Sequence, residues 1–124
     1  MPFVHRRHAD REFRSPGMSF VSVASRDDLS HLEPVQGGIL VFKHSPRCSI
    51  SLTAHHRVQQ WLERHPDLQI GLINVLTERG LSHELASEWG VEHESPQIVF
   101  RTADGRVRHA SHFSITHDWL DALN

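Results

Sequence analysis

The sequence ILVFKHSPRCSISLT, residues 39–53, joins an apolar run to an amphipathic pattern through a short polar loop. The apolar run predicts a strand that is buried on both faces, as in a parallel sheet. Beyond the loop, apolar residues recur at helical spacing: Ile50, Ala54, Val58, Trp61 and Leu62. The chain's only cysteine, Cys48, lies where this pattern begins. The stretch therefore predicts a strand, a loop and a helix with a thiol at the start of the helix.

The position of Cys48 favours a reactive thiol. The first turn of a helix has free backbone N–H groups and partial positive charge, and both stabilise a thiolate. Lys43, His44 and Arg47 are close in sequence and are expected to add positive charge. Cys48 is therefore the predicted nucleophile, and the alternative is an inert, partly buried cysteine.

Ser51 lies three residues after Cys48, on the same side of the predicted helix. Dithiol oxidoreductases have their resolving cysteine at that position. A hydroxyl can donate a hydrogen bond to a thiolate but cannot form a disulfide. Another molecule must therefore release Cys48 from any mixed disulfide. The alternative for Ser51 itself is an ordinary first-turn serine that bonds to backbone.

The remaining periodicity predicts the element order βαβαβαββα. Predicted strands cover residues 19–24, 39–42, 68–76, 97–101 and 106–110, and predicted helices start at Ser25, Cys48, Ser82 and Thr116. The first three strands alternate with helices and should be parallel, whereas the turn signal Asp104-Gly105 predicts a closing hairpin. This is the layout of an α/β thioredoxin-like fold, a central mixed sheet flanked by helices.

Pro96 stands directly before the strand predicted at 97–101. In the thioredoxin fold a cis proline occupies this site beside the nucleophile, and the residue before it offers its backbone to the bound partner. A cis X–Pro bond is the minority isomer in folded proteins, so the prediction of a cis bond between Ser95 and Pro96 depends on the fold.

Length and charge limit the classes of function. The 124 residues suffice for one domain with a core. We expect a disordered N-terminal extension at 1–17 and a thioredoxin-like domain at 18–124. No apolar run approaches the roughly 20 residues that span a bilayer, so no membrane partner is expected. The formal charge of −2, with basic residues spread among acidic ones, predicts no nucleic-acid partner.

Cysteine and histidine content indicate the chemistry. A single cysteine excludes an internal disulfide and fits a reducing compartment, so the expected location is cytoplasmic. The 12 histidines show no spacing typical of a zinc site, and no metal is expected.

Three motifs resemble the YtxJ-like monothiol bacilliredoxins, thioredoxin-like proteins of the bacillithiol system. FKHSPRCSIS at 42–51 resembles that family's KHS-x-x-C-x-I-S pattern. ESPQIVF at 94–100 resembles its Ser-Pro strand, and GRVRHASHFSIT at 105–116 resembles its G-x-V-x-x-x-x-S-H-x-x-I-T ending. The resemblance covers roughly Phe20 to Leu120.

This resemblance implies removal of bacillithiol from mixed disulfides on client proteins. Cys48 would be the attacking thiol, Ser51 would replace a resolving cysteine, and Pro96 would be the cis proline. Residues expected to bind the thiol or the substrate are Lys43, His44, Arg47, Ser49 and Ser95. The implied partners are bacillithiolated client proteins, bacillithiol as co-substrate and a disulfide reductase, with no tightly bound cofactor. Ser49 replaces the family's usual proline and restores an N–H donor beside Cys48.

Two alternatives stay open. One is a glutaredoxin-like protein that uses another low-molecular-weight thiol, although such monothiol proteins usually carry C-G-F-S where this chain has C-S-I-S. The other is a non-catalytic thioredoxin-fold adaptor, in which Ile50, Leu52 and the loop around Pro96 form a docking surface. Slow alkylation of Cys48 would favour the adaptor.

Overall fold

The computed structural model describes residues 20–123, so the extension expected at 1–17 lies outside the described part of the chain. The strands are β1 (Phe20–Ser22), β2 (Gly38–His44), β3 (Ile70–Asn74), β4 (Gln97–Thr102) and β5 (Val107–Ser111). The helices are α1 (Arg26–Ser30), α2 (Ser49–Glu63), α3 (Arg79–Trp89) and α4 (His117–Asp121), and a short 3-10 helix covers His112–Ser114. The predicted element order is confirmed.

The five strands form one mixed sheet in the order β1-β3-β2-β4-β5. β3 pairs in parallel with both β1 and β2, as expected for strands connected through helices. β4 runs antiparallel to β2, and β5 runs antiparallel to β4. β2 lies in the middle and is buried along almost its whole length, which explains its continuous apolar run.

Helices cover both faces of this sheet. α2 and α4 pack on one face, where Phe42 of β2 contributes to the larger hydrophobic core. α1 and α3 pack on the other face, where Val41 belongs to a second core. Successive side chains of a strand point to opposite faces, so this division decides where Lys43 and His44 point. No helix within residues 20–123 combines the length and apolar character needed to cross a membrane.

Two of the four α-helices within residues 20–123, α1 and α4, begin with a side-chain cap, whereas α2 and α3 have none. Ser25 accepts the N–H of Asp28, and Thr116 accepts the N–H of Trp119, so both predicted N-caps are confirmed. The predicted N-cap at Ser82 is wrong, because α3 begins three residues earlier, at Arg79. The buried Ser82 hydroxyl instead donates to the carbonyl of Glu78, the bond that lets a serine fit inside a helix.

Candidate active site

Cys48 lies at the N-terminus of α2, directly before the first helical residue. Its backbone is extended, with φ −104° and ψ 124°, and its carbonyl accepts the N–H of Leu52 at 2.9 Å. Its own N–H donates to the carbonyl of Ser45 at 3.1 Å, which closes the Ser-Pro-Arg turn in front of the helix. The thiol is free and partly exposed. It is therefore reachable from solvent and adjacent to the unpaired N–H groups of a helix end.

Ser51 is fully buried one turn into α2, and its hydroxyl bonds to the segment before Cys48. Ser51 Oγ accepts the N–H of Ser45 at 2.9 Å and lies 2.7 Å from Nδ1 of His44. Within residues 20–123 no hydrogen bond connects Ser51 with the Cys48 sulfur, so the hydroxyl has partners other than the expected thiolate.

His44 is buried under α2 at 8% exposure. Its ring centroid lies 5.6 Å from that of Phe42 and 4.7 Å from that of His55, which itself stacks on Phe20 at 4.6 Å. Burial, with a smaller contribution from His55, lowers the pKa of His44 from 6.5 to about 4. The imidazole is therefore neutral near pH 7, and the positive charge expected from this residue is absent.

Lys43 points to the opposite face of the sheet. Its Nζ donates to the carbonyl of Ser82 and to Nδ1 of His93, both at 3.1 Å. Burial lowers its pKa from 10.5 to about 8. The structure does not bring Lys43 together with Cys48, because the side chains of a strand alternate between its two faces. Nearness along the chain therefore does not place the Lys43 amine near the thiol.

Arg47 and Ser49 are exposed on either side of Cys48. Lys43 and His44 are buried, so of these three residues only Arg47 presents an exposed cation beside Cys48 in the sequence. Ser49 is the first residue of α2, and its carbonyl accepts the Thr53 hydroxyl at 3.1 Å.

The Ser95–Pro96 peptide bond is cis. The register pairs Lys43 of β2 with Gln97 of β4, so the next residues outward, His44 and Pro96, are neighbours at the same end of the sheet. Ser95 is partly buried and Pro96 is buried. The loop that carries both residues therefore lies at the end of β2 from which the chain runs to Cys48.

Three exposed apolar side chains lie at this same end of the sheet. They are the large hydrophobic residues exposed within the described range: Leu52 at 52%, Leu76 at 41% and Phe113 at 67%. Leu52 donates its N–H to the carbonyl of Cys48. Leu76 follows Val75, whose N–H donates to the carbonyl of His44. Phe113 follows His112, whose N–H donates to the carbonyl of Pro96. Sequence reasoning found Leu52 but missed the other two. The available signal was position, because Leu76 ends the strand predicted at 68–76 and Phe113 follows closely on the strand predicted at 106–110.

Titratable clusters elsewhere add no metal site. In the part of the chain that the structure describes, no three histidine, cysteine, aspartate or glutamate side chains are grouped so that they could hold a metal ion. Some of the histidines instead pair with one another, as the ring of His44 does with that of His55 and the ring of His83 with that of His93.

Comparison with known proteins gives concordant results. The family model described as Monothiol bacilliredoxin BrxC matches residues 22–120. A solved structure described as a candidate oxidoreductase with a thioredoxin fold is similar over 84% of this chain and 92% of its own, with a TM-score of 0.73 and 27% identity. Thioredoxin from Trypanosoma brucei brucei is similar over 89% of each chain, with a TM-score of 0.63 and 14% identity. A mutant thioredoxin from Halobacterium salinarum is similar over 89% of this chain and 90% of its own, with a TM-score of 0.62 and 20% identity. The predicted thioredoxin-like fold is confirmed.

Proposed function

This chain belongs to the monothiol bacilliredoxin family, and from that premise we propose that it removes bacillithiol from mixed disulfides on client proteins. Family and fold make it a thiol–disulfide oxidoreductase. The observation that carries the finer proposal is a partly exposed Cys48 at a helix N-terminus, with Ser51 where a second thiol would stand. We propose the cytoplasm as its compartment, because a lone free thiol fits a reducing environment.

The first step is a thiol–disulfide exchange. The Cys48 thiolate attacks the bacillithiol sulfur of the client's mixed disulfide, which forms a Cys48–bacillithiol disulfide and breaks the client–bacillithiol bond. The client cysteine leaves as a thiolate and takes a proton from solvent. No electrons are gained or lost overall, because one disulfide replaces another.

The second step frees Cys48. Since Ser51 has no sulfur, the attacking group must come from outside the chain. The thiolate of a second bacillithiol attacks the bacillithiol sulfur on Cys48, which gives oxidised bacillithiol and restores the Cys48 thiolate. A disulfide reductase that supplies two electrons and two protons would give the same reduced Cys48 and release reduced bacillithiol.

We assign the contacts around the reacting sulfur to residues that reach this end of the sheet. Arg47 supplies an exposed cation for the carboxylates of bacillithiol. Ser49 adds a first-turn hydroxyl and N–H, and the Ser95–Pro96 loop presents backbone to the client. Lys43 and His44 are not part of this contact set, because both are buried in contacts elsewhere.

Intact mass spectrometry tests the proposal. The reduced protein is mixed in parallel with oxidised bacillithiol and with oxidised glutathione, and the modified residue is located by peptide mapping. We expect a bacillithiol adduct on Cys48 to form faster than the glutathione adduct. A Cys48→Ser variant should then leave a bacillithiolated client unreduced. Full client reduction by Cys48→Ser, or a preference for glutathione, would overturn the proposal.

A non-catalytic adaptor is the second candidate, and the exposed Leu52, Leu76 and Phe113 favour it. An exposed apolar surface at the end of the sheet that leads to Cys48 is also what client docking before the reaction requires, so binding alone does not separate the two functions. A Phe113→Ser variant does. For the enzyme, we expect a KM for the protein client raised by about tenfold and unchanged adduct formation with oxidised bacillithiol. If the chain is an adaptor, Phe113→Ser should weaken client binding, and neither the wild type nor the variant should form an adduct with oxidised bacillithiol.

A further inference from the structure

The hydroxyl of Ser51 holds together the segment that contains Cys48. Ser45 accepts the N–H of Cys48 at 3.1 Å and donates its own N–H to Ser51 Oγ at 2.9 Å. The same Oγ lies 2.7 Å from Nδ1 of His44, the last residue of β2. Hydrogen bonds to this one oxygen atom therefore join Ser51 to His44 and Ser45, and Cys48 lies in the loop between them.

The direction of the hydrogen bond to His44 follows from counting protons. The backbone N–H of Ser45 can only donate, so it occupies a lone pair of Ser51 Oγ. Ser51 has one O–H, and among the described residues its oxygen forms no hydrogen bond other than those to Ser45 and His44. The O–H therefore donates to Nδ1 of His44, and the imidazole proton lies on Nε2. Burial keeps this imidazole neutral by lowering the pKa of His44 to about 4.

The acceptor is held in place by its surroundings. The His44 ring packs against those of Phe42 and His55, at centroid distances of 5.6 Å and 4.7 Å, and the latter two rings lie 6.1 Å from each other. Rotation of the ring away from Ser51 would break both contacts. A buried polar group whose orientation is set by packing is a suitable support for a reactive side chain.

We propose that His44 is a positioning residue for Cys48: by accepting the Ser51 proton it fixes Ser51 and, through Ser45, the turn that holds the thiol at the helix N-terminus. This inference deepens the proposed function, since the reaction that it serves is disulfide exchange at Cys48. It replaces the expectation that His44 binds substrate or supplies charge. Loss of the acceptor frees the turn, and the thiolate then loses part of its stabilisation by the helix end.

Alkylation of Cys48 by iodoacetamide, followed by intact mass spectrometry near neutral pH, measures this effect without any bacillithiol chemistry. The key variants are His44→Leu, which removes the acceptor, and His44→Asn, whose amide oxygen replaces Nδ1 as an acceptor. We expect His44→Leu, which removes one hydrogen bond, to slow alkylation by about three- to tenfold, and Ser51→Ala, which removes that bond and the bond from Ser45, to slow it at least as much. His44→Asn should stay near the wild-type rate.

A double variant shows whether His44 acts through Ser51. If it does, His44→Leu combined with Ser51→Ala should be no slower than Ser51→Ala alone, because Ser51→Ala already removes the bond that His44→Leu removes. His65→Leu is the matched control. His65 bonds through Nδ1 to the carbonyl of Trp61 near the other end of α2, so its loss should leave alkylation unchanged.

Several outcomes would overturn the proposal. They are slow alkylation of His44→Asn, multiplicative effects in the double variant, and an equal loss of rate in His65→Leu. Circular dichroism shows whether His44→Leu folds. If it does not, Ser51→Ala and His44→Asn test the proposal by themselves. Alkylation of Ser51→Ala at the wild-type rate would then refute the positioning role of His44. A protein that shows the expected alkylation pattern but forms no bacillithiol adduct would refute the proposed function and leave the positioning role standing.

Discussion

Nζ of Lys43 lies 3.1 Å from Nδ1 of His93, on the face of the sheet away from Cys48. This contact ties the central strand to the segment that leads into Pro96, and a second bond from Nζ reaches the carbonyl of Ser82 in α3. Lys43 is thus a buried cation with a structural role. It faces away from the thiol that its position in the sequence suggested it would bind.

The depressed pKa of Lys43 should be visible as a dependence of stability on pH. Between about 8 and 10.5 the unfolded chain holds a proton on Lys43 that the folded chain has lost, so the free energy of unfolding rises with pH. We expect wild type to gain about 2 kcal/mol relative to Lys43→Met across this window. Urea unfolding of both proteins at the two ends of the window measures the gain. A constant difference between them would show that the amine is not desolvated.

Acid should destabilise the protein through His44. Below about 6.5 the unfolded chain protonates this imidazole, whereas the folded chain resists until about pH 4. The free energy of unfolding should therefore fall by about 2 kcal/mol as pH drops through this window, and then stop falling on account of this group. Urea unfolding at the two ends of the window measures the loss, which should be smaller in His44→Asn because asparagine has no proton to gain. Burial also lowers the pKa values of His55 and His93, so part of the acid sensitivity should persist in the variant.

A Ser51→Cys variant should convert the site from one thiol to two. The new thiol would stand on the same side of α2 as Cys48, within the first helical turn. It should attack Cys48 in the bacillithiol adduct, release bacillithiol and form an internal disulfide. Mass spectrometry would then find no lasting adduct and a protein lighter by two hydrogens. Thr53→Cys places a thiol on the exposed side of the same helix and should keep the adduct. A lasting adduct in Ser51→Cys would show that the two positions do not face each other.

Gly38 should not tolerate a side chain. A Cβ at this position would lie 2.5 Å from the carbonyl oxygen of Arg101 on the neighbouring strand, and backbone cannot move aside without breaking the ladder. We expect Gly38→Ala to lower the free energy of unfolding by about 3 kcal/mol. Gly80 in α3 is the control, because its Cβ would meet nothing within 4 Å and alanine favours helix. Gly80→Ala should raise stability by about 0.5 kcal/mol, measured by the same thermal or urea unfolding. Equal stability of the two variants would contradict the close approach at Gly38.

The sequence alone determined the features that depend on neighbouring residues. The strand, loop and helix around Cys48, the caps at Ser25 and Thr116, and the hairpin at Asp104-Gly105 were all predictable. Periodicity, capping and turn chemistry act over a few residues, so a local pattern is enough to find them. The family's motifs, which are also short local patterns, indicated the thiol chemistry.

Only the tertiary structure decided what surrounds the thiol. α2 covers the face of the sheet to which His44 points, so His55 packs against His44 and the Ser51 hydroxyl bonds to it. Lys43 points to the opposite face and bonds to Ser82 there. The strand order also gathered Leu52, Leu76 and Phe113 around one end of the sheet. These contacts join segments far apart in the chain, and burial then sets the charge of each group. Neither the contacts nor the burial can be read from local spacing, because both arise when the sheet assembles and the helices cover it.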